Sequence, residues 1–468
     1  MRPSMMIQAK ADRYKAMQEG MSTKEIPLKW LYGNETDDPL RFGFDSKRVV
    51  HPTIKSPLID SKDIQARWQQ VMQTEGYSAS KVAYIHIPFC LSHCYYCGFF
   101  QNFIDRQLED AFIDCLIDEL TQAGASRFIE SGAFDAVYIG GGTPSALKTA
   151  NLRRLLEAIN NYLPMADNCE FTMEASLQTF SEETLKTCKE GRINRISFGV
   201  QSFDTSVRRL MGRAIEGKDA LARLNSLASK VKDSDLLVII DLIYGLPLQD
   251  RGIWERDVET YIASNIDSAD FYQLNVFSDS RLKDLNDSGV MPSPATVGEQ
   301  ALMFARTVDL MDRSAQSRLS ITHWARNPKE RNLYNSLSKG GAVIVPFGPG
   351  AGGRIGGSTI FLKKDIGEYI EDIKSGVKPL MFMTESVGDF TLYYTAIGQL
   401  DKGFLDLKPL EGQYQQHCYF IYELVKKWQE RGFVQHSEGM ISLTIAGQFW
   451  HVNLTQSLID WLQTRIKE

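Results

Sequence analysis

Three of the seven cysteines in this 468-residue chain fall close together: Cys90, Cys94 and Cys97, in IHIPFCLSHCYYCGFF. The C-x3-C-x2-C spacing puts three thiolates on one short loop, near enough to grip one inorganic centre. A tetrahedral structural zinc site asks for a fourth ligand, supplied by a second pair such as C-x2-C or H-x3-H, and none lies nearby. His93 is adjacent to Cys94, a poor geometry for sharing an ion with it. An electron-transfer 4Fe-4S cluster asks for four cysteines. Three leave one iron without a protein ligand, and an open metal position is where a substrate is coordinated. The zinc reading survives only if a remote residue completes the set. The other cysteines are scattered. Cys115 sits in the helical pattern AFIDCLIDEL and Cys169 opens the strand pattern CEFTMEA. Both positions suit a small buried hydrophobe.

A second tier of residues follows at intervals. Gly140-Gly141-Gly142-Thr143-Pro144 comes straight after the apolar AVYI. Glycines there let backbone approach a ligand closely. Glu174 closes EFTMEA and offers a carboxylate to an amino group or a sugar hydroxyl. Gln201 lies in SFGVQSF, Arg213 in LMGRA, and Asp241 in IIDLIYGLP behind four apolar residues, Leu237 to Ile240. A carboxylate at the end of a buried strand needs a partner, because desolvating it alone is costly. A cationic ligand or Arg213 could be that partner.

These residues require a scaffold. Strand-like runs recur at Val82–Ile87, Ala136–Ile139, Glu170–Ala175, Arg195–Val200, Leu236–Leu242 and Phe271–Phe277. Between them lie helix-period segments such as Leu108–Gln122 and Asn151–Tyr162. Strands alternating with helices predict βα units and a parallel sheet. Six such strands make an incomplete barrel, with chemistry gathered at the C-terminal strand ends. Cys90, the Gly140–Thr143 turn, Glu174, Gln201 and Asp241 all fall at or just after those ends. Residues 1–80 read as an extension wrapping the core, 81–280 as the barrel and 281–384 as a barrel-completing segment with a glycine-rich loop. Residues 385–468, with helical patterns at Thr391–Gly398 and His417–Arg431 and then a short hairpin, read as a small winged-helix-like domain.

Composition bounds the partners. With 52 basic and 58 acidic side chains the net charge is −6, which argues against a broad nucleic-acid surface. The segment Met1 to Trp30 is broken by charges and has no apolar core, so no export signal is expected. The most apolar run, Leu236 to Leu248, is too short to span a bilayer. A cytoplasmic protein without a membrane partner is the expectation, with its cysteines reduced or bound to metal.

C-x3-C-x2-C with an aromatic residue before the last cysteine, here Tyr96, resembles the signature of the radical S-adenosylmethionine (SAM) superfamily. That resemblance implies a 4Fe-4S cluster on Cys90, Cys94 and Cys97. Its open iron chelates SAM, and one electron splits the sulfonium to methionine and a 5′-deoxyadenosyl radical. The ordered set HIPFC, GGGTP, GVQSF, GR and DLIYGLP is similar to the oxygen-independent coproporphyrinogen oxidase-like branch, over roughly residues 80 to 280. By that resemblance two SAM molecules bind. Tyr84, Tyr96, Gly140, Gly142, Thr143 and Glu174 would serve the first, and Gln201, Arg213 and Asp241 the second. The implied fold is an α/β, partial (β/α)6 TIM-like radical SAM barrel.

Within the branch three readings compete. The coproporphyrinogen dehydrogenase continues past the third ligand as CGC, whereas this chain has Cys97-Gly98-Phe99. The haem chaperones read CDF there and are shorter at the N-terminus. CGFFQN, Cys97 to Asn102, resembles the anaerobic haem-degrading, anaerobilin synthase-like group. For that group the resemblance implies a C-methyltransferase that opens haem without oxygen. The radical takes hydrogen from the methyl of the second SAM, and the methylene radical adds to a meso carbon. The macrocycle opens to a linear tetrapyrrole and iron is released. The implied partners are haem, a flavodoxin- or flavin-type electron donor and a haem-carrier protein. A non-enzymatic haem carrier is the alternative of a different class. Arg354, inside the glycine-rich run from Gly340 to Thr359, is a candidate for a haem carboxylate. His86, His93 and His323 are candidates for axial or proton-handling roles.

Overall fold

Six apolar runs, each leading into an amphipathic helix, build six parallel strands. A computed structural model of the chain describes residues 26–76, 79–278, 280–437 and 440–465. The start of the N-terminal extension, residues 1–25 and most of the stretch read for an export signal, lies outside the described residues. The strands are β1 (Lys81–Ile87), β2 (Phe134–Gly141), β3 (Met165–Ala175), β4 (Arg195–Gln201), β5 (Leu237–Tyr244) and β6 (Ser268–Gln273). Each pairs in parallel with the next. Long apolar runs are what strands buried on both faces require. The polar residues that interrupt them share levels: Tyr84 opposite Tyr138, Glu174 opposite Ser197, and Asp241 opposite Asp270.

The crossover helices are α1 (Arg106–Gly124), α2 (Thr149–Tyr162), α3 (Glu182–Glu190), α4 (Gly217–Val231) and α5 (Arg251–Ala263), followed by α6 (Val297–Arg313) after β6. Several begin where the sequence supplies a cap. Asp105, Ser181 and Asp250 accept backbone N–H groups of the first turns of α1, α3 and α5, and Thr296 with Glu299 forms a reciprocal capping box on α6.

The sheet continues past both ends of this set. Beside β6 runs the antiparallel β7 (His323–Ala325), and beside β1 the parallel β8 (Val343–Phe347). β9 (Gly352–Ile355), β10 (Ser358–Leu362) and β11 (Leu380–Met383) then extend it antiparallel. The glycine-rich stretch expected as a loop is thus mostly strand. Its glycines serve close packing: a Cβ on Gly353 would meet the Ile344 carbonyl and the Pro346 ring. The sixth run also differs from expectation. It starts at Ser268 and stops at Gln273, where the last ladder bond, from Leu274 N to the Tyr244 carbonyl, closes the pairing with β5. The short helix α7 (Leu333–Lys339) contacts β1 and β2 and brings Tyr334 beside Tyr84 and Tyr138.

At the C-terminal end, α8 (Phe390–Asp401), α9 (Lys408–Glu430) and α10 (His451–Arg465) surround a three-stranded sheet of Phe404–Asp406, Met440–Leu443 and Val434–Ser437. The extension wraps this part of the chain. Arg48 pairs with Asp460 at 2.6 Å, and the buried indoles of Trp428 and Trp450 donate to the carbonyls of Leu31 and of Pro39 and Leu40. No helix among the described residues is long and apolar enough to cross a membrane. Trp428 is fully buried and ties the extension to α9. Trp428→Ala should cost about 3–5 kcal/mol, read as a lowered denaturation midpoint at unchanged slope.

Candidate active site

The loop that bears the cysteines is closed at its base. β1 leads through Pro88 to the short strand Phe89–Cys90, which pairs with Asn102–Phe103. Ile104 N donates to the Cys90 carbonyl at 3.1 Å and Asn102 N to that of Pro88 at 3.1 Å. Inside the loop, Cys97 N donates to the Cys94 carbonyl at 3.0 Å, and Phe99 N to the Cys97 Sγ at 3.3 Å. Thr143 Oγ1 lies 3.6 Å from the Cys90 Sγ. His93 stacks on Phe100 with ring centroids 4.1 Å apart, so it braces the loop and takes no ligand position. Gly98 lies under the Phe277 ring, where a Cβ would come within 2.9 Å of it.

Burial pushes the Cys90 thiol up to about 11 and raises Cys97 as well. Metal ligation must therefore supply the ionisation. Among the described residues no three His, Cys, Asp or Glu side chains converge on one metal ion. A cubane makes a different demand, since each of its thiolates binds a separate iron corner. Cys90, Cys94 and Cys97 stand close enough to perturb one another's ionisation, and soft thiolates are the donors an iron–sulfur cluster takes. The donor set fits the cluster.

The glycine turn leans on this loop. Gly142 N donates to the Ile87 carbonyl and Thr143 N to that of Phe89, each at 2.7 Å. A Cβ on Gly140 would strike the Glu174 carboxyl group. Glycine at 140 is what lets Glu174 reach the turn, where it accepts from Gly141 N at 3.0 Å and from Tyr138 Oη at 2.8 Å. Burial still outweighs both bonds and raises the Glu174 pKa.

Two further groups complete the interior. Arg213 Nη2 donates to Tyr96 Oη at 2.7 Å and to Gln201 Oε1 at 2.8 Å, and its Nε is buried without a partner. Tyr96 thus joins Gln201 and Arg213, while Tyr84 bonds His86 Nδ1 at 3.0 Å. Asp241 sits inside β5, not at its end, with Ser197 Oγ 3.4 Å away. Arg213 is not its partner: that guanidinium is taken by Tyr96 and Gln201. Burial, then Asp270, then Glu174 push Asp241 well above its usual range. The nearby cations are spent elsewhere. Arg195 bonds both oxygens of Glu330 at 3.1 Å, and His323 lies 2.8 Å from Asp270 and 3.3 Å from Glu330. Burial opposes the charged imidazole, but Asp270 and Glu330 win and lift His323 to about 9. The interior is left short of positive charge, which favours a cationic ligand such as a sulfonium.

Other candidates prove structural. Arg354 donates to the Ser338 and Ala342 carbonyls at 2.6 and 3.0 Å and lies 3.7 Å over the Tyr394 ring, so it is not free for a carboxylate. His323 is locked in the ion-pair network. His86, held near 3 by burial, joins Tyr84 to Gln101 of the cysteine loop. Cys115 and Cys169 are buried, as their patterns suggest. Sequence reasoning missed Tyr138, Ser197 and Asp270. Strand alternation was the available signal, since each stands two residues from, or directly opposite, a residue already singled out. Tyr334 left no such signal.

Comparison with known proteins agrees with this geometry. A family model described as the radical SAM superfamily matches residues 84–256. Anaerobilin synthase of Escherichia coli O157:H7 is 32% identical over 423 residues, covering 90% of this chain and 93% of the relative. The chain belongs to the radical SAM superfamily. It is a radical SAM enzyme of the coproporphyrinogen oxidase-like branch, with a 4Fe-4S cluster and SAM as cofactors. Heme chaperone HemW of Bacillus subtilis (strain 168) is 28% identical over 381 residues, covering 79% of this chain and 96% of the relative. The solved coproporphyrinogen III oxidase HemN of Escherichia coli shares the fold, with a TM-score of 0.72 at 20% identity over 91% of this chain and 99% of its own.

Cys94→Ala should leave anaerobically reconstituted protein without iron and acid-labile sulfide, while Cys115→Ala keeps both. SAM affinity should rise with pH, because a cationic ligand favours ionised carboxyl groups whose pKa values burial has raised. Glu174→Gln should flatten part of that slope and weaken binding by roughly 1.5–3 kcal/mol, measured by anaerobic titration across pH.

Proposed function

We propose that this protein is a C-methyltransferase that opens the haem macrocycle without oxygen, using two SAM molecules and giving a linear tetrapyrrole with release of iron. The observation that carries the reading is the 32% identity to anaerobilin synthase along nearly the whole of both chains. Cys90, Cys94 and Cys97 would hold the cluster. Cluster and SAM together supply a 5′-deoxyadenosyl radical when bound.

The chain's own residues then bind, orient and keep water out. Glu174, already accepting from Gly141 N, has further lone pairs for an ammonium or a ribose hydroxyl. Thr143 and the glycine turn bring backbone up to the first ligand. Gln201 and Arg213 form one arm for the second SAM, and Asp241 offers it a buried carboxylate that a sulfonium would help to ionise. Tyr84, Tyr138 and Tyr334 pack with centroids 4.7–6.3 Å apart and line the interior with phenol rings instead of water, which a radical reaction needs. The partners of this reading are haem, a flavodoxin- or flavin-type electron donor and a haem-carrier protein, in the cytoplasm.

A haem chaperone is the second reading, favoured by the 28% identity to HemW. The decarboxylating reaction is less favoured, because Phe99 stands where a fourth nearby cysteine would follow Gly98. One experiment separates the three. Cluster-loaded protein is incubated anaerobically with haem, methyl-labelled SAM and a low-potential reductant. The expected result is loss of the Soret band, accumulation of 5′-deoxyadenosine and label retained in a linear tetrapyrrole. Stoichiometric haem binding with SAM intact would replace this reading by the chaperone. With coproporphyrinogen offered in place of haem, an unlabelled decarboxylated porphyrin would replace it by the oxidase reaction.

A further inference from the structure

The turn that presents Gln201 is held by residues outside the site. Gln201 has a φ of 67°, in the left-handed region, where a residue with a Cβ persists only if its surroundings over-determine it. The register of β4 on β5 slips at the same point: Gly199 faces Asp241, but Gln201 faces Leu242. Such a bulge re-aims a side chain. Here it accompanies the hydrogen bond from Arg213 Nη2 to Gln201 Oε1.

Two buried charged side chains supply the constraint. Asp257 of α5 accepts from Ser202 Oγ at 2.7 Å, Phe203 N at 2.6 Å and Gln249 Nε2 at 3.1 Å. Arg208 Nη1 donates to the carbonyls of Val200 at 2.6 Å and Ser202 at 3.1 Å, and its Nε donates to that of Ile215 at 2.7 Å. Both are nearly sealed, at 2% and 4% exposure. Neither is spent on an ion pair with the other: each serves the backbone or hydroxyl groups around residues 200–203. Gly217, at the start of α4, packs so closely on the Phe203 carbonyl that no Cβ fits between them. Burying a lone carboxylate and a lone guanidinium is costly, so a turn held this way is one whose position matters.

We propose that Asp257 and Arg208 are positioning residues that hold the Gln201–Arg213 arm in its binding geometry and thereby set the affinity for the second SAM molecule more strongly than for the first, which the arm touches only through the Arg213–Tyr96 bond. This rests on the two-SAM reading above. Without the brace, Gln201 relaxes to an ordinary negative φ, its amide swings away from Arg213, and the arm must be re-formed at each binding event.

The test is equilibrium binding of SAM to cluster-loaded protein, anaerobic and without reductant, followed by calorimetry. Wild type should show two binding steps. Asp257→Asn should weaken one of them about tenfold and leave the other in place, with wild-type iron and sulfide content. Ser202→Ala, which removes a single hydroxyl and so spares folding, should move the same step in the same direction by less. Two wild-type steps that both variants leave unchanged would overturn the brace alone. So would a uniform weakening of both steps with a lowered melting temperature, the mark of a merely structural role. A single step in wild type would overturn the two-SAM reading itself, and the brace with it.

Discussion

A carboxylate taken out of water must find positive charge or hydrogen-bond donors, and the inside of this barrel offers few of either to spare. Asp241 and Asp270 face each other across β5 and β6, with Glu174 near by. At that depth Arg195 pairs with Glu330 and His323 lies between Asp270 and Glu330, which leaves Asp241 and Glu174 without an ion-pair partner among the described residues. Much of the site's architecture follows. Ser197 leans on Asp241, Tyr138 and the Gly141 amide are pulled to Glu174, and a visiting sulfonium becomes the natural complement.

The cysteine loop depends on the same economy of space. Its base is pinned by a two-residue strand pair, and its flank rests on a turn whose glycines exist so that backbone can lie against backbone. Burial favours the protonated thiol at Cys90 and Cys97 until iron displaces the proton. Cluster loop, glycine turn and Glu174 therefore form one packed unit.

What could be read in the sequence had local causes. The cysteine spacing, the glycine turn and the alternation of apolar runs with helical ones are all encoded within a few residues, and the six parallel strands follow from them. Asp241 was found because a charge after four apolar residues is conspicuous. Its environment was not, since Asp270 and His323 reach it through strand pairing across long stretches of chain. Arg354 looked available because its glycine-rich surroundings read as loop, whereas pairing with Val343–Phe347 turns them into strand and spends the guanidinium on carbonyls. The boundary of the sixth strand failed for a similar reason: the composition of residues 274–277 suits a strand, but the neighbouring β5 ends at Tyr244 and offers nothing further to pair with.

The contact between Gly98 and the Phe277 ring ties two distant parts of the chain into one steric agreement. A larger residue after the third cysteine would have to evict an aromatic ring that arrives from beyond the last barrel strand. The residue that follows the third cysteine is thus half of a pair, and exchanging it alone would graft a lock without its key.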